Sequence, residues 1–208
     1  MWQVNNNIIK VILTYKCIPT VIFPLNTDYH KKMNDFEFNK LKSILNDCSG
    51  VIFQGGDNYY KYDLQIMKYV YDKDIPTLGI CLGMQTMAIL FNGNLDKIKP
   101  EKLKHSQKGK EYVHLVYLNN NSRLYEILGE DTIKVNSRHN DCVIKTDLFI
   151  SGYSSDDIIE SIEDKNKNFF IGVQWHPEDM FEYDIVNKKL FDSFFKVVKS
   201  YYESRIIK

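Results

Sequence analysis

The sequence predicts an α/β fold in which helices flank both faces of a doubly wound, mainly parallel sheet. Two patterns support this prediction. Short apolar runs bounded by Gly, Pro or Asp are typical of strands covered on both faces, and segments with helical spacing of apolar residues lie between them. A chain of 208 residues suits one well-buried core, so we expect a single domain over residues 1–208.

The strands and helices alternate along most of the chain. The predicted strands are Thr20–Pro24, Gly50–Gln54, Pro76–Ile80 and Phe169–Trp175. The predicted helices are Asp35–Asp47, Tyr62–Asp72, Leu82–Phe91 and Tyr183–Ser200, in which apolar residues recur every three or four positions. Because parallel strands need crossover connections, this alternation favours a parallel sheet.

The middle of the chain, roughly Asn94–Ile150, has a different pattern. Lys-rich loops precede an alternating segment, Tyr112–Leu118, and two further strand-like segments follow at Thr132–Val135 and Cys142–Ile150. We interpret this region as a small antiparallel insert, around residues 110–150, that packs against the same core.

Composition excludes several classes of protein. Lys+Arg and Asp+Glu are equal at 27 each, and no basic block indicates binding to nucleic acid or to a membrane surface. The apolar stretches near the N-terminus are interrupted by Lys10, Lys16 and Pro19, so neither is a signal peptide or a membrane span. Four scattered cysteines without a CxxC pair argue against a disulfide scaffold and a structural zinc site, and favour the reducing cytoplasm.

Cys81 lies where the predicted strand Pro76–Ile80 meets the helix Leu82–Phe91. Ligands of doubly wound sheets bind beyond the carboxyl ends of strands, and a strand-to-helix elbow exposes a nucleophile there. Gly79 and Gly83 would relieve crowding, and the helix N-terminus would stabilise a thiolate. The alternative is that Cys81 is a small buried apolar residue.

A general base for Cys81 is available in the segment Gly172–Glu178, which reads GVQWHPE. His176 follows a predicted strand, so it also lies at a carboxyl edge, and Pro177 fixes the backbone after it. Glu178 projects to the same side and can accept a hydrogen bond from the imidazole. A lone His is more often structural, but the pairing with the cysteine elbow favours a Cys81–His176–Glu178 catalytic triad.

Two backbone regions are candidates for an oxyanion hole. One is the N–H of Leu82, directly after the nucleophile, and the other is the Gly55–Gly56 pair in the loop after Gly50–Gln54. Each such donor contributes about 3 kcal/mol to transition-state stabilisation. An ordinary strand-ending turn remains the alternative for the two glycines.

Together, the motifs GICLGMQ, GVIFQGGD and GVQWHPE resemble the class I glutamine amidotransferase superfamily in type, order and spacing. The resemblance extends from about residue 8 to 200 and implies a flavodoxin-like fold. Trp175 and the segment VNSRHND (Val135–Asp141) are similar to the γ-glutamyl hydrolase branch, which includes γ-glutamyl-γ-aminobutyrate hydrolases.

The resemblance implies cleavage of a γ-glutamyl amide through a thioester on Cys81, with no metal and no organic cofactor. It also implies a substrate pocket formed by Gln85, Ser137, Arg138 and His139. Each has a simpler alternative. Gln85 can be a polar residue on an apolar helix, Ser137 and His139 can bond their own loop, and Arg138 can be solvated.

One part of the family pattern has no clear counterpart. Relatives begin with a strand, a helix and a second strand, whereas here Asn5–Lys16 aligns with that first helix. The opening strand is absent or reduced to Met1–Val4. We expect either a start further upstream, or another segment in its place, or a decayed homologue.

Three functions follow as hypotheses. The leading one is a stand-alone hydrolase of a small γ-glutamyl substrate. The second is a glutaminase subunit that delivers ammonia to a separate synthetase partner, and the third is a catalytically inactive binding or regulatory homologue. Neither the amine released nor the oligomeric state follows from the sequence.

Overall fold

The computed structural model describes residues 3–23, 28, 31–57 and 60–206. The helices are α1 Asn6–Thr14, α2 Asp35–Asp47, α3 Lys61–Asp72, α4 Leu82–Leu90, α5 Arg123–Leu128 and α6 Ile185–Ile206, with a short 3₁₀ helix at Pro177–Asp179. The strands are β1 Val51–Phe53, β2 Thr77–Ile80, β3 Asn94–Lys97, β4 His114–Leu118, β5 Thr132–Val135, β6 Asp141–Lys145, β7 Phe149–Ser154, β8 Ile159–Glu163 and β9 Phe170–Val173. None of the helices in the described ranges is long and apolar enough to cross a bilayer.

All nine strands belong to one sheet. Its main path runs β1-β2-β9-β8-β7-β4-β5, and β6 joins β3 to β8. The parallel part consists of β1, β2 and β9, and every other pairing is antiparallel. The α/β class is therefore as predicted, but the parallel part is smaller than expected.

Helices cover both faces of the parallel part, which buries β2 and β9 completely. On one face, α1, α5 and α6 pack on the strands through a core that includes Val11, Leu78 and Phe191. On the other face, α3 and α4 pack on them through a second core that includes Met67, Met84 and Phe170. This arrangement leaves the carboxyl ends of β2 and β9 side by side, and both cores fix their positions.

The antiparallel region is larger than the predicted insert at 110–150. It extends from β3 to β8, and the predicted segment Cys142–Ile150 is divided between β6 and β7. The sequence did not predict β8, because the buried Glu160 and Glu163 obscure its apolar pattern (IESIE).

The predicted strand Thr20–Pro24 is wrong where it can be compared. Thr20–Phe23 form no strand, and Pro24 lies outside the described residues. The apolar run lacks the burial that a covered strand needs, since Val21 is 42% exposed and Phe23 is 49% exposed. Gln3 and Val4 are not in a strand either, while Met1 and Trp2 also lie outside the described residues, so β1 forms an edge of the sheet.

Candidate active site

Cys81 occupies a strained elbow between β2 and α4. Its φ of 51° and ψ of −103° lie in a region that residues other than glycine rarely adopt. The elbow is packed closely on both sides. A Cβ on Gly79 would lie 2.8 Å from the Gly83 carbonyl carbon, and one on Gly83 would lie 2.2 Å from the Phe53 carbonyl oxygen. Only glycine at these two positions allows the helix to start so close to the strands.

The thiol of Cys81 is nearly enclosed, since the residue is 6% exposed. Its backbone N–H donates to the Val173 carbonyl at 2.8 Å, which ties the elbow to the carboxyl end of β9. The Gln174 side-chain amide donates to Cys81 Sγ at 3.4 Å. A donor facing the sulfur favours its negatively charged form.

His176 and Glu178 meet immediately after β9. His176 Nδ1 lies 2.8 Å from Glu178 Oε1, and the Glu178 side chain is fully buried. The Asn5 side-chain amide donates to the same carboxylate oxygen at 2.8 Å. Because Glu178 occupies Nδ1, the Nε2 of His176 is the nitrogen that remains for the thiol.

The charge state of His176 follows from its neighbours. Burial lowers the pKa of His176, but the hydrogen bonds and charges of Cys81 and Glu178 outweigh burial and raise that pKa to about 10. The imidazole is therefore protonated at neutral pH. A protonated imidazole beside the sulfur favours a reactive thiolate.

The side chain of Asn136 fixes the backbone of His176. Asn136 Nδ2 donates to the His176 carbonyl at 2.8 Å, and the His176 N–H donates to Asn136 Oδ1 at 2.8 Å. The segment after β5 therefore lies against the end of β9. This contact holds the imidazole at the height of the thiol.

The loop after β1 covers the thiol and the imidazole. A Cβ on Gly55 would lie 2.7 Å from His176 Cε1 and 3.5 Å from Cys81 Cβ, and one on Gly56 would lie 3.0 Å from Leu82 Cδ2. Gly55 and Gly56 make no backbone donor bond within the described part of the chain. The Leu82 N–H, in the first turn of α4, has no intrahelical acceptor. The predicted oxyanion-hole residues thus surround the sulfur.

The predicted substrate-binding residues are in different environments. Gln85 Nε2 donates to the Asp141 carbonyl and to Gln174 Oε1, both at 3.2 Å. Ser137 is fully buried, and its hydroxyl has no partner among the described residues. Arg138 forms an ion pair with Asp179. The His139 imidazole is buried and faces Glu160.

Two groups of side chains bring metal-ligating atoms together. The first is His176, Glu178 and Asp179, whose atoms already bond to one another, to Arg138 or to the N-terminal asparagines. The second is His105, His114, His139 and Glu160, which lies in the antiparallel region. Burial raises the pKa of Glu160, but the neighbouring imidazoles outweigh it and lower the pKa to about 2.

Sequence reasoning missed three residues that position the site. Gln174 and Asn136 stand inside the quoted motifs GVQWHPE and VNSRHND, so the motifs contained the signal without indicating a role. Asn5 had no such signal. Its contact with Glu178 spans 173 positions and only the folded chain reveals it.

A family model described as Peptidase C26 matches residues 60–178 of the chain, which include Cys81, His176 and Glu178. The chain is 26% identical to a glutamine amidotransferase-like protein of Rickettsia prowazekii, over 69% of this chain and 75% of that protein. It is 31% identical to the glutamine-hydrolysing subunit of GMP synthase from Picrophilus torridus, over 65% of this chain and 70% of the relative.

Longer proteins and a solved structure are also similar. The chain spans 32–36% of the length of three CTP synthases that it matches. A crystal structure of a GMP synthase subunit from Thermoplasma acidophilum superposes with a TM-score of 0.70 at 24% identity, over 98% of this chain and 92% of that one. The structural likeness supports the fold alone.

Proposed function

The chain belongs to the Peptidase C26 family, and from this premise we propose that it hydrolyses the γ-glutamyl amide bond of a small substrate. The relatives support the coarser statement, a hydrolase-type enzyme of the class I glutamine amidotransferase kind. The proposal adds the roles of the residues. Cys81 is the nucleophile, His176 is the general acid and base, and Glu178 orients His176.

One observation carries the proposal. A cysteine with positive φ lies under a glycine loop, and the imidazole in contact with that loop is bonded on its far nitrogen to a buried carboxylate. Backbone strain of this kind costs about 1–3 kcal/mol and persists where the surroundings enforce it. A cysteine with only a packing role gains nothing from that strain.

Acylation of Cys81 is the first step. The thiolate attacks the δ-carbonyl carbon of the substrate, and the N–H groups of Leu82 and the Gly55–Gly56 loop stabilise the resulting oxyanion. Protonated His176 gives its proton to the leaving nitrogen as the C–N bond breaks. The products of this step are a free amine, or ammonia, and a γ-glutamyl thioester.

Deacylation regenerates the site. Neutral His176 takes a proton from water, whose oxygen attacks the thioester carbonyl, and the thiolate leaves with its electron pair. Glutamate is released and His176 is again protonated. We propose that Gln85, Ser137, Arg138 and His139 belong to the wall of the glutamyl pocket, Arg138 by pairing with a substrate carboxylate.

Labelling with a glutamine-mimicking chloroketone tests the proposal. Cys81 is expected to react much faster than Cys48, although Cys48 is the more exposed of the two. Burial and the charge of Asp47 raise the pKa of the Cys48 thiol, which leaves it mostly protonated. Peptide mass spectrometry with time gives the rates. If Cys81 labels no faster than Cys48, the chain is a catalytically inactive homologue.

The second candidate function is a glutaminase subunit that supplies ammonia to a synthetase. The similarity to the glutamine-hydrolysing subunit of a GMP synthase favours it. Incubation of the purified chain with glutamine and with several γ-glutamyl amines, followed by glutamate measurement, separates the two. Turnover of γ-glutamyl amines by the chain alone supports the hydrolase. Turnover of glutamine only in the presence of a synthetase supports the second function. The Cys81→Ser variant is the control for both.

A further inference from the structure

Three histidines and one glutamate form a buried cluster away from Cys81. His105 precedes β4, His114 begins β4, His139 follows β5 and Glu160 lies in β8. We call these four residues the His₃Glu cluster. The backbone bridge between Ser106 and Arg138 brings the loops that carry His105 and His139 together.

The four side chains converge with almost no access to solvent. His105 Nδ1 lies 3.3 Å from Glu160 Oε1, and His114 Nε2 and His139 Nε2 each lie 3.6 Å from the same oxygen. The accessible fractions of the four side chains are 0–2%. None of these inward atoms has a hydrogen-bond partner in the described part of the chain. Buried polar atoms without partners are uncommon in folded proteins.

The other nitrogen of each imidazole is bonded to an acceptor. His105 Nε2 lies 3.2 Å from an Asp156 carboxylate oxygen. His114 Nδ1 lies 3.2 Å from the Leu115 carbonyl, and His139 Nδ1 lies 3.0 Å from the Asp141 carbonyl. Carbonyl and carboxylate oxygens only accept, so each outward nitrogen carries the proton. In the neutral imidazoles the inward nitrogens therefore present lone pairs.

Three lone pairs and a carboxylate facing one another repel unless a cation lies between them. Protons are one possible cation, but satisfying all three nitrogens with protons places three imidazolium ions around a single carboxylate in a buried site, which is costly. A single divalent ion satisfies all four groups at once. Outward N–H groups bonded to carboxylate and carbonyl oxygens are the usual support of metal-bound histidines.

We propose that the His₃Glu cluster binds one divalent transition-metal ion of the Zn²⁺ type through His105 Nδ1, His114 Nε2, His139 Nε2 and Glu160. Bonds of about 2.0–2.1 Å to Zn²⁺ place tetrahedral ligands about 3.3–3.4 Å apart. The three measured N···O distances of 3.3, 3.6 and 3.6 Å are close to that separation. Imidazole and carboxylate are both ligands of Zn²⁺.

Four protein ligands leave no open position, so the ion has a structural role. The cluster adjoins the candidate active site through the backbone. The Asp141 carbonyl that accepts from His139 also accepts from Gln85, and Gln85 bonds Gln174, which faces the Cys81 sulfur. The Glu160 carbonyl accepts from the Gln174 N–H. The ion would thus hold the frame on which Gln174 rests.

The sequence argument against zinc rested on the cysteines, and it does not bear on this set of ligands. The test uses the full chain, stripped with a chelator and returned to one equivalent of ZnCl₂ or CoCl₂. We expect one ion per chain by elemental mass spectrometry and the intense visible absorption of four-coordinate Co²⁺. MgCl₂ should not compete, because Mg²⁺ prefers six oxygen ligands.

Variants locate the ion. Glu160→Gln and His114→Gln are expected to weaken Zn²⁺ binding at least tenfold, measured by competition with a chromophoric chelator. Asp156→Asn, which changes only the support of His105, is expected to weaken it about 10–100-fold. His176→Gln and Cys81→Ser are the controls and should keep full stoichiometry. Loss of the ion in these controls would assign it to the active site and overturn the proposal.

Stability supplies a readout that does not depend on activity. Zn²⁺ at about a hundredfold excess over its Kd should raise the thermal midpoint of the wild-type chain by about 5–10 °C, and not that of Glu160→Gln. The decisive measurement is on the wild-type chain, so a variant that fails to fold leaves the test intact. A wild-type chain that takes up neither Zn²⁺ nor Co²⁺ shows that the cluster holds protons, and the proposal is then wrong.

Discussion

The side-chain amide of Asn136 bonds both backbone groups of His176, a residue 40 positions further along the chain. Asn136 is 1% exposed, so water cannot replace it. The amide therefore fixes the backbone from which the imidazole projects. The contact links the turn after β5 to the end of β9, and it makes the orientation of His176 depend on the antiparallel region.

Replacing Asn136 tests that dependence. Asn136→Ala leaves the N–H and the carbonyl of His176 unpaired, so we expect the free energy of unfolding to fall by about 1–3 kcal/mol. Turnover should fall about 10–100-fold, because a small displacement of a catalytic group is costly. Urea unfolding and glutamate release measure the two effects. Asn39→Ala, on the exposed surface of α2, should change neither. Full turnover in Asn136→Ala would show that the amide does not position His176.

The second prediction concerns the loop that covers the imidazole. Gly55→Ala introduces a Cβ 2.7 Å from His176 Cε1, whereas Gly56→Ala introduces one 3.0 Å from the end of the Leu82 side chain, which can move more easily. We expect Gly55→Ala to lower turnover about a hundredfold, and Gly56→Ala to lower it less. Chloroketone labelling of Cys81 should slow in the same order. Equal effects of the two substitutions would contradict this reading of the loop.

The third prediction is a pH dependence set by His176. Its pKa of about 10 in the folded chain lies above the unfolded value of about 6.5. Protonated His176 therefore stabilises the fold. Its contribution is complete below about pH 6.5 and is lost as the pH rises through about 10.

Unfolding measurements between pH 6 and 10 check this contribution. The difference in free energy of unfolding between the wild-type chain and His176→Gln should shrink as the pH rises. In Cys81→Ser and in Glu178→Gln the His176 midpoint, followed by NMR, should move to lower pH, because each variant removes one source of the raised pKa. A midpoint that stays the same in both variants would contradict the assigned cause.

The fourth prediction separates helix capping from positioning of the site. Asn5 caps α1 by accepting from the Asn7 N–H, and its amide donates to Glu178. Asn34 caps α2 in the same manner, in a capping box with Glu37. Each Asn→Ala change should cost about 0.5–2 kcal/mol of stability through the lost cap. Only Asn5→Ala frees Glu178, so only that variant should lose turnover, by about tenfold. Equal turnover in the two variants would limit Asn5 to capping.

The sequence predicted the elements whose signals are local. The helix Asp35–Asp47 and the strand Thr132–Val135 have the predicted bounds, because an amphipathic period and a strict alternation both fit within a few residues. The six-residue α5 is too short to establish a period. The run Thr20–Pro24 resembled a covered strand, but its burial depends on distant partners that the run itself does not specify.

The candidate site divides along the same line. Cys81, His176 and Glu178 stand in short motifs whose residue types indicate their chemistry, and the structure brings them together. The His₃Glu cluster draws on four elements and spans 55 positions between His105 and Glu160, with no common motif. Nothing but the folding of β4, β5 and β8 into one sheet region makes these residues neighbours.

The last prediction concerns Trp175, which resembled a marker of the γ-glutamyl hydrolase branch. The fully buried indole donates from Nε1 to Asn187 Oδ1 at 2.7 Å and so attaches β9 to α6. Trp175→Phe removes that donor and some volume, and should cost about 2–4 kcal/mol of stability. Asn187→Leu should cost about 1–3 kcal/mol, because it leaves the indole N–H unpaired.

The double variant Trp175→Phe/Asn187→Leu should cost less than the sum of the two single changes, by about 1 kcal/mol or more, because no unpaired polar partner remains. Urea unfolding of the four chains completes the cycle. Successive residues of an extended chain project to opposite sides, so the indole points away from the side on which His176 acts. Turnover of Trp175→Phe should therefore stay within about threefold of wild type. If it does, Trp175 reports how α6 packs and gives no information on the substrate. If turnover collapses while the fold is retained, the residue belongs to the site.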